Sequence, residues 1–198
     1  MSDNKKSIAK SAVLVTAMML CFKILGFVKQ AVIAYIYGAT LDTDSYFVAW
    51  GFVSGLSEAV VKALLVSLVA IYTHLRIVNG KECAGRLING LLEILTPIFA
   101  FVVLIIYIIA PILSSILAPS FDGGAKDSLV IFIRLLCPVL LFGVPELVFG
   151  AVLDSHKSFY IPRLQSFIYS MSVIVSCFMI SRIFGIHALV IAQYFSSI

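Results

Sequence analysis

Charged side chains are scarce in this sequence. They make up 12% of its 198 residues, whereas a soluble domain carries about 25%. Hydrophobic residues account for 62%, and the mean hydropathy is +1.12. Because so few polar side chains cannot cover the surface of a water-soluble fold, the composition excludes a soluble globular domain. It indicates an integral membrane protein whose surface faces lipid.

Residues that carry catalysis or bind metal are also few. The three histidines, His74, His156 and His187, lie far apart, and the sequence has no HExxH motif, Ser/His/Asp set or phosphate-binding glycine loop. The four cysteines have no CxxC spacing and are predicted to be free thiols. We therefore expect no enzymatic activity, no metal and no cofactor.

Apolar runs long enough to cross a bilayer, about 20 residues each, dominate the chain. They cover residues 9–37, 45–73, 87–117, 128–153 and 160–181. A sixth run begins near Gly185, and its 14 residues would rise only about 21 Å as a helix. We expect an all-α polytopic transmembrane helix bundle with five complete spans and a truncated sixth, forming a single transmembrane domain over residues 1–198.

The net charge of +4 does not indicate a nucleic-acid partner, because the basic residues collect in short segments between the apolar runs. Three lie near the start of the chain, three follow the second run, and two lie around the junction of the fourth and fifth runs, which makes eight on one side of the membrane against two on the other. The eight are Lys5, Lys6, Lys10, Arg76, Lys81, Arg86, Lys157 and Arg163, and the two are Lys126 and Arg182. Since basic residues concentrate in cytoplasmic segments, we expect a cytoplasmic N-terminus.

Two lysines lie inside the first apolar run. If the helix starts near Ser11, Lys23 lies about 18 Å along it, close to the middle of the membrane. We expect Lys23 to line a hydrated cavity, and Lys29 either to share that cavity or to extend to the outer surface. Two ammonium groups in one cavity would attract an anion such as a diphosphate. Gly26, between them, is a predicted hinge.

Charges inside membrane spans usually mark pathways or partners, and the other spans contain several. Glu58 and Lys62 lie four residues apart on one helix face, so they either neutralise each other or contact a ligand directly. Asp44, at the start of the same helix, is expected to cap its free N–H groups.

The fourth span carries Arg134 and Glu146, which are about 18 Å apart along a helix and too distant to pair. Each therefore needs a partner on another helix. Pro138 and Pro145 interrupt the same run and are predicted hinges. The candidate substrate-binding residues are Lys23, Lys29, Asp44, Glu58, Lys62, Arg134 and Glu146.

Four segments in order resemble the MurJ (MviN) lipid II flippases of the MOP exporter superfamily. Lys23–Gln30 is similar to the family's basic-x-Leu-Gly-Phe-x-Arg-Asp pattern, and Gly38–Ala49 to its Gly-Ala and Thr-Asp-Ala-Phe-Phe-Val-Ala pattern. Ala110–Phe121 resembles its paired Ala-Pro motifs, and Gly150–Pro162 its Gly-Ala-x-Leu-Asn…Phe-x-x-Pro pattern. The resemblance extends from about residue 8 to the end of the sequence.

The resemblance implies a flippase of about fourteen spans in two lobes, of which this sequence would be the N-terminal lobe. It implies transport of lipid II, an undecaprenyl-linked peptidoglycan precursor, across the bacterial cytoplasmic membrane by alternating access without ATP hydrolysis. The expected partners are the lipid-linked substrate, membrane lipids and the remaining C-terminal spans. Lys23 and Lys29 fall at the family's first two cavity arginines, and Asp44 at its acidic residue in the second span.

The sequence also departs from the family pattern. Gln30 replaces an acidic residue, and Leu56–Ala63 replaces the family's Leu-Arg-Arg-x-Phe-Ala-Glu-Gly, so a third cavity arginine is absent. These departures leave open a flippase for another lipid-linked oligosaccharide, of the capsule, O-unit or teichoic type. A drug/cation antiporter of the same superfamily and a truncated membrane remnant that does not transport are further alternatives.

The charge distribution makes a direct prediction about topology. Cysteines introduced at Thr40 and Gly123 should react with a membrane-impermeant maleimide in intact cells, whereas cysteines at Asn79 and Ser158 should not, because the eight basic residues place the latter two in the cytoplasm. The opposite labelling pattern would overturn the predicted orientation.

Overall fold

Helices account for nearly all of the backbone that the structure describes. The computed structural model describes residues 2–155, 160–179 and 185–197 of the chain, and no strand occurs among them. The helices are α1 (Ser2–Tyr37), α2 (Leu41–Val78), α3 (Gly80–Leu117), α4 (Gly123–Leu136), α5 (Gly143–Ser155), α6 (Tyr160–Met179) and α7 (His187–Ser197), with a 3-10 segment at Cys137–Phe142 between α4 and α5. The predicted all-α class is confirmed.

Within the described residues, four helical stretches are long and apolar enough to cross a membrane. They are Leu20–Tyr37, Leu41–Val78, Gly80–Leu117 and Gly123–Leu153. The corresponding apolar part of α6, Phe167–Met179, is shorter. The chain is thus a multi-pass membrane protein, and the count of five spans plus a partial sixth stays a prediction. His156, Lys157, Ser158 and Arg182, which entered the sequence argument, lie outside the described residues.

The second and third helices are longer than their apolar runs. Each has 38 residues, or about 57 Å of helix, compared with a hydrocarbon core of about 30 Å. Only Asn79 separates them, and Gly80 has a φ of +84°, which glycine adopts without strain. The segment between the second and third apolar runs, residues 74–86, is therefore the tip of a helical hairpin. Hydropathy marked where the chain leaves lipid, but polar residues with good helix propensity continue both helices beyond that point.

The start of α2 is capped by Thr40. Its backbone is extended, with a φ of −109° and a ψ of 158°, and its Oγ1 accepts a hydrogen bond from the N–H of Thr43 at 3.3 Å. The prediction that Asp44 is the cap was wrong, because Asp44 lies inside the first turn with an exposed side chain. Thr40 precedes the first helical residue and so has the geometry that an N-cap requires.

Helix α2 is the centre of the packing. It contacts α3, α4 and α5, while α1 packs against α6, and α6 packs against α7. A second set of contacts joins α7 to α4 and the 3-10 segment, which connects the two groups of helices. The main hydrophobic core includes Tyr46, Leu129, Ile133, Leu136 and Leu189, all fully buried. A smaller cluster of Leu68, Leu147 and Ala151 lies between α2 and α5. All four cysteines are free, as predicted.

Proline interrupts the fourth span where the sequence predicted a break. Helix α4 ends at Leu136, and a 3-10 segment containing Pro138 follows. Pro138 has no N–H to donate to the carbonyl four residues earlier. Beside this break, the hydroxyl of Tyr194 on α7 donates to the carbonyl of Leu135 at 2.7 Å. By contrast, α1 runs through Gly26 without interruption.

A second proline explains the position of Arg134. Pro111 lies inside α3 and cannot donate to the carbonyl of Tyr107, its partner four residues earlier. Arg134 Nε on α4 donates to that carbonyl at 3.3 Å, and the guanidinium lies 5.1 Å from the centroid of the Tyr107 ring. Arg134 thus joins α4 to α3 at the point where the backbone of α3 lacks a hydrogen bond.

A double-mutant cycle tests this account. Arg134→Met should lower the free energy of unfolding in detergent by about 0.5–2 kcal/mol, since it leaves the Tyr107 carbonyl without its donor. In a Pro111→Ala background the loss should be clearly smaller, because the N–H of the new alanine restores the helical hydrogen bond. Equal losses in both backgrounds, measured by chemical or thermal unfolding, would contradict the proposed pairing.

Candidate functional site

Lys29 contacts an aromatic ring on a neighbouring helix. Helix α1 packs along α6, and the half-buried Lys29 places its Nζ 4.2 Å from the centroid of the Tyr169 ring. An ammonium within about 6 Å of a ring centroid is attracted to the negative face of the ring. The contact therefore stabilises a positive charge that would be unfavourable in contact with lipid tails.

Tyr169 is itself held from two directions. The indole of Trp50 on α2 stacks with it, with ring centroids 6.3 Å apart and planes inclined by 24°. Gln193 Nε2 on α7 donates to the Tyr169 hydroxyl at 3.0 Å and to the buried hydroxyl of Tyr46 at 2.8 Å. These five residues form the lysine–aromatic cluster, in which α1, α2, α6 and α7 meet.

The charge of Lys29 is not neutralised by an acid. Among the described residues, an ion pair forms between Glu58 and Lys62, which lie one turn apart on α2, and it does not involve Lys29. No carboxylate of the described residues lies within ion-pair distance of Lys29. The cluster is therefore a neutral, largely aromatic support for a cation, and the cation keeps its net charge.

Lys23 lies six residues before Lys29, about 9 Å earlier along α1. Its side chain is exposed, whereas that of Lys29 is half-buried, because the two positions point to different sides of the helix. Helix α1 is uninterrupted at Gly26, and the hinge expected at this residue stays a prediction. A single ligand that contacts both Lys23 and Lys29 must therefore span the distance of about 9 Å along the helix that separates them.

The remaining candidates lie on other elements. Glu58 and Lys62 pair with each other while their side chains stay 62% and 71% exposed, which is the contact that mutual neutralisation predicts. Arg134 binds the backbone of α3. Asp44 and Glu146 are exposed on α2 and α5. Among the seven candidates, in the part of the chain that the structure describes, Glu58 and Lys62 are the pair in direct contact.

Sequence reasoning missed Tyr169, Trp50, Tyr46 and Gln193. Gln193 was detectable in principle, since an amide inside an apolar run must find partners on another helix. The aromatic residues had no such signal, because Tyr and Trp are common in membrane proteins for other reasons. Their role depends on which helices become neighbours, and periodicity along one helix does not specify that.

Comparison with known proteins gives a consistent picture. The family model described as "Lipid II flippase MurJ" matches residues 33–197. A probable lipid II flippase MurJ from Buchnera aphidicola is 28% identical over 186 residues, covering 90% of this chain and 35% of the relative. Another from Borreliella burgdorferi is 26% identical over 190 residues, covering 93% of this chain and 36% of the relative.

A solved structure has the same fold. It is a lipid II flippase MurJ in an inward closed conformation, which superimposes with a TM-score of 0.80 at 18% identity and covers 93% of this chain and 39% of that one. The chain spans about a third of the length of the curated relatives it matches. Since the family model matches more than three quarters of the sequence, from residue 33 to residue 197, the chain belongs to the lipid II flippase MurJ family.

Proposed function

We propose that this chain works as part of a flippase that moves lipid II, an undecaprenyl-linked peptidoglycan precursor, across the bacterial cytoplasmic membrane. The observation that carries the proposal is the match of the MurJ family model to residues 33–197. The helical fold shared with an inward closed MurJ structure supports it. The work of a flippase is translocation by alternating access, so the proposed partners are the lipid-linked substrate, membrane lipids and further spans of the same transporter.

Lys29 and Lys23 are the residues that we propose bind the substrate. The substrate carries a diphosphate between lipid and sugar, and two ammonium groups inside one membrane span supply opposite charge where water offers little screening. An unpaired lysine near the middle of the membrane costs about 2.5–3.5 kcal/mol on insertion scales. A cost of this size is offset if the ammonium meets an anion during transport.

The other candidates have different supporting observations. The ion pair between Glu58 and Lys62 favours a neutralised pair over a direct ligand contact, and the hydrogen bond from Arg134 to α3 favours a structural role. Asp44 and Glu146 are exposed and are proposed as secondary contacts with the substrate or with other spans. The 3-10 segment at Cys137–Phe142, which contains Pro138 and is followed by Pro145 within α5, is the proposed flexible point of the fourth span.

The arrangement in the membrane is part of the proposal. The N-terminus lies in the cytoplasm, five spans and a sixth partial one form a single domain, and that domain is the N-terminal lobe of a two-lobed transporter. The supporting observations are the bias in Lys and Arg positions and the coverage of about a third of the relatives' length.

Complementation tests the proposal directly. The full-length gene should restore growth to a bacterium depleted of its own MurJ. Lys23→Ala and Lys29→Ala should each abolish this rescue while leaving expression and the melting temperature in detergent nearly unchanged, since neither lysine leaves a buried carboxylate behind. Lys→Arg at either position should preserve rescue, because the charge is kept and a bidentate donor is gained.

Lys81→Ala is the matched control. It removes one positive charge from the exposed first turn of α3, remote from the apolar core of the span, and should rescue growth as well as the unmodified protein does. Full rescue by the Lys23→Ala/Lys29→Ala double variant would refute the cationic site, and failure of the unmodified gene would refute lipid II as the substrate.

A further inference from the structure

Two lysines of the membrane spans, Lys62 and Lys29, contact different kinds of group. Lys62 lies one turn from Glu58 and forms an ion pair with it, so the two charges cancel. Lys29 lies over the ring of Tyr169 at 4.2 Å, and no carboxylate within the described segments pairs with it. An aromatic face attracts a cation through its quadrupole without contributing a formal charge. The ammonium of Lys29 is therefore stabilised and still carries its full positive charge.

The contact uses the ring face of Tyr169 and leaves its hydroxyl to another partner. The hydroxyl accepts a hydrogen bond from Gln193 at 3.0 Å, and the ring stacks with Trp50. Both neighbours restrict how the ring can turn, and Gln193 is in turn held by the buried Tyr46. Three helices thus set the orientation of the surface on which the ammonium of the fourth helix rests.

We infer that Tyr169 is a positioning residue for Lys29: its ring holds the ammonium at a set place in the bundle with its charge intact, ready to bind an anionic diphosphate. The inference rests on the proposed role of Lys29 in substrate binding. A carboxylate in place of the ring would also hold the lysine, but it would cancel the charge and compete with the substrate. An aliphatic side chain at position 169 would leave the charge of Lys29 uncancelled, but it would not attract the ammonium.

This role predicts that affinity depends on the electrons of the ring more than on its shape. The test uses the intact transporter in detergent, with undecaprenyl diphosphate as the probe ligand. Tyr169→Phe keeps the ring and loses the hydroxyl that accepts from Gln193, so its affinity is the reference value for the series that follows. Phenylalanines with one, two and three ring fluorines at position 169 should bind progressively more weakly, by about three- to tenfold in total, because fluorine withdraws the negative charge from the ring face.

Phe167 provides a matched control on the same helix. Phe167 is two residues before Tyr169, and the centroid of its ring lies 6.1 Å from that of Phe22 on α1. It is therefore an aromatic residue of α6 whose neighbour on α1 is another aromatic ring. The same fluorinated series at position 167 should leave the affinity unchanged. The melting temperature should stay constant across both series, since each fluorinated ring fills nearly the same volume.

Each outcome separates this inference from the proposed function. If Lys29→Ala loses affinity for the probe and the series at position 169 is flat, Tyr169 does not position the lysine, and the diphosphate site stands. If Lys29→Ala binds the probe normally, the site itself and the inference both fail. A melting temperature that falls together with affinity along the series at position 169 would show a packing role and would also overturn the inference.

Discussion

A membrane interior offers no water to satisfy polar groups, so each one must find its partner within the protein. Prolines and charged residues create the groups at issue here. Pro111 deprives the carbonyl of Tyr107 of its helical donor, and Arg134 donates to that carbonyl from a neighbouring helix. Tyr194 donates to the carbonyl of Leu135 beside the break at Pro138. Each of these hydrogen bonds joins two helices at a defined height, so the positions of the prolines are tied to the way the helices pack.

The same constraint gives the cations of this chain three different environments. Arg134 donates to a backbone carbonyl, Lys62 pairs with a carboxylate, and Lys29 rests on an aromatic face. A paired ammonium has no net charge to offer. Arg134 and Lys29 are both half-buried, and no carboxylate of the described residues cancels their charge. The guanidinium is held by the carbonyl of Tyr107, whereas the ammonium of Lys29 donates to no group that the structure describes, which is why Lys29 is the cation proposed to bind an anionic lipid.

The lysine–aromatic cluster links the proposed substrate site to the packing of the helices. Tyr169 contacts Lys29, Trp50 and Gln193 on three other helices. A movement of α1 relative to α6 would change the distance between the ammonium and the ring. Under the proposed transport by alternating access, such a movement would change the strength with which the proposed site holds an anion.

Much of this architecture was predictable from residues alone. Long apolar runs require helices in lipid, and the scarcity of charge excluded a soluble fold, because both follow from composition over stretches of about 20 residues. The break at Pro138 was predictable for a local reason, the missing N–H. The ends of the helices were harder to predict from the sequence. Helix α2 continues to Val78 and α3 begins at Gly80, because helix propensity, unlike hydropathy, does not change at the membrane surface.

By itself, then, the sequence determined the helical class, the positions of the apolar runs and the presence of charged residues inside them, since these depend on the chain locally. The tertiary structure alone decided which groups contact Arg134 and Lys29. Glu58 and Lys62 pair within one helix, but the partner of Arg134 and the support of Lys29 come from residues 27 and 140 positions away along the chain. Contacts of that range depend on which helices become neighbours, and helix packing is decided by the combined shape of many side chains.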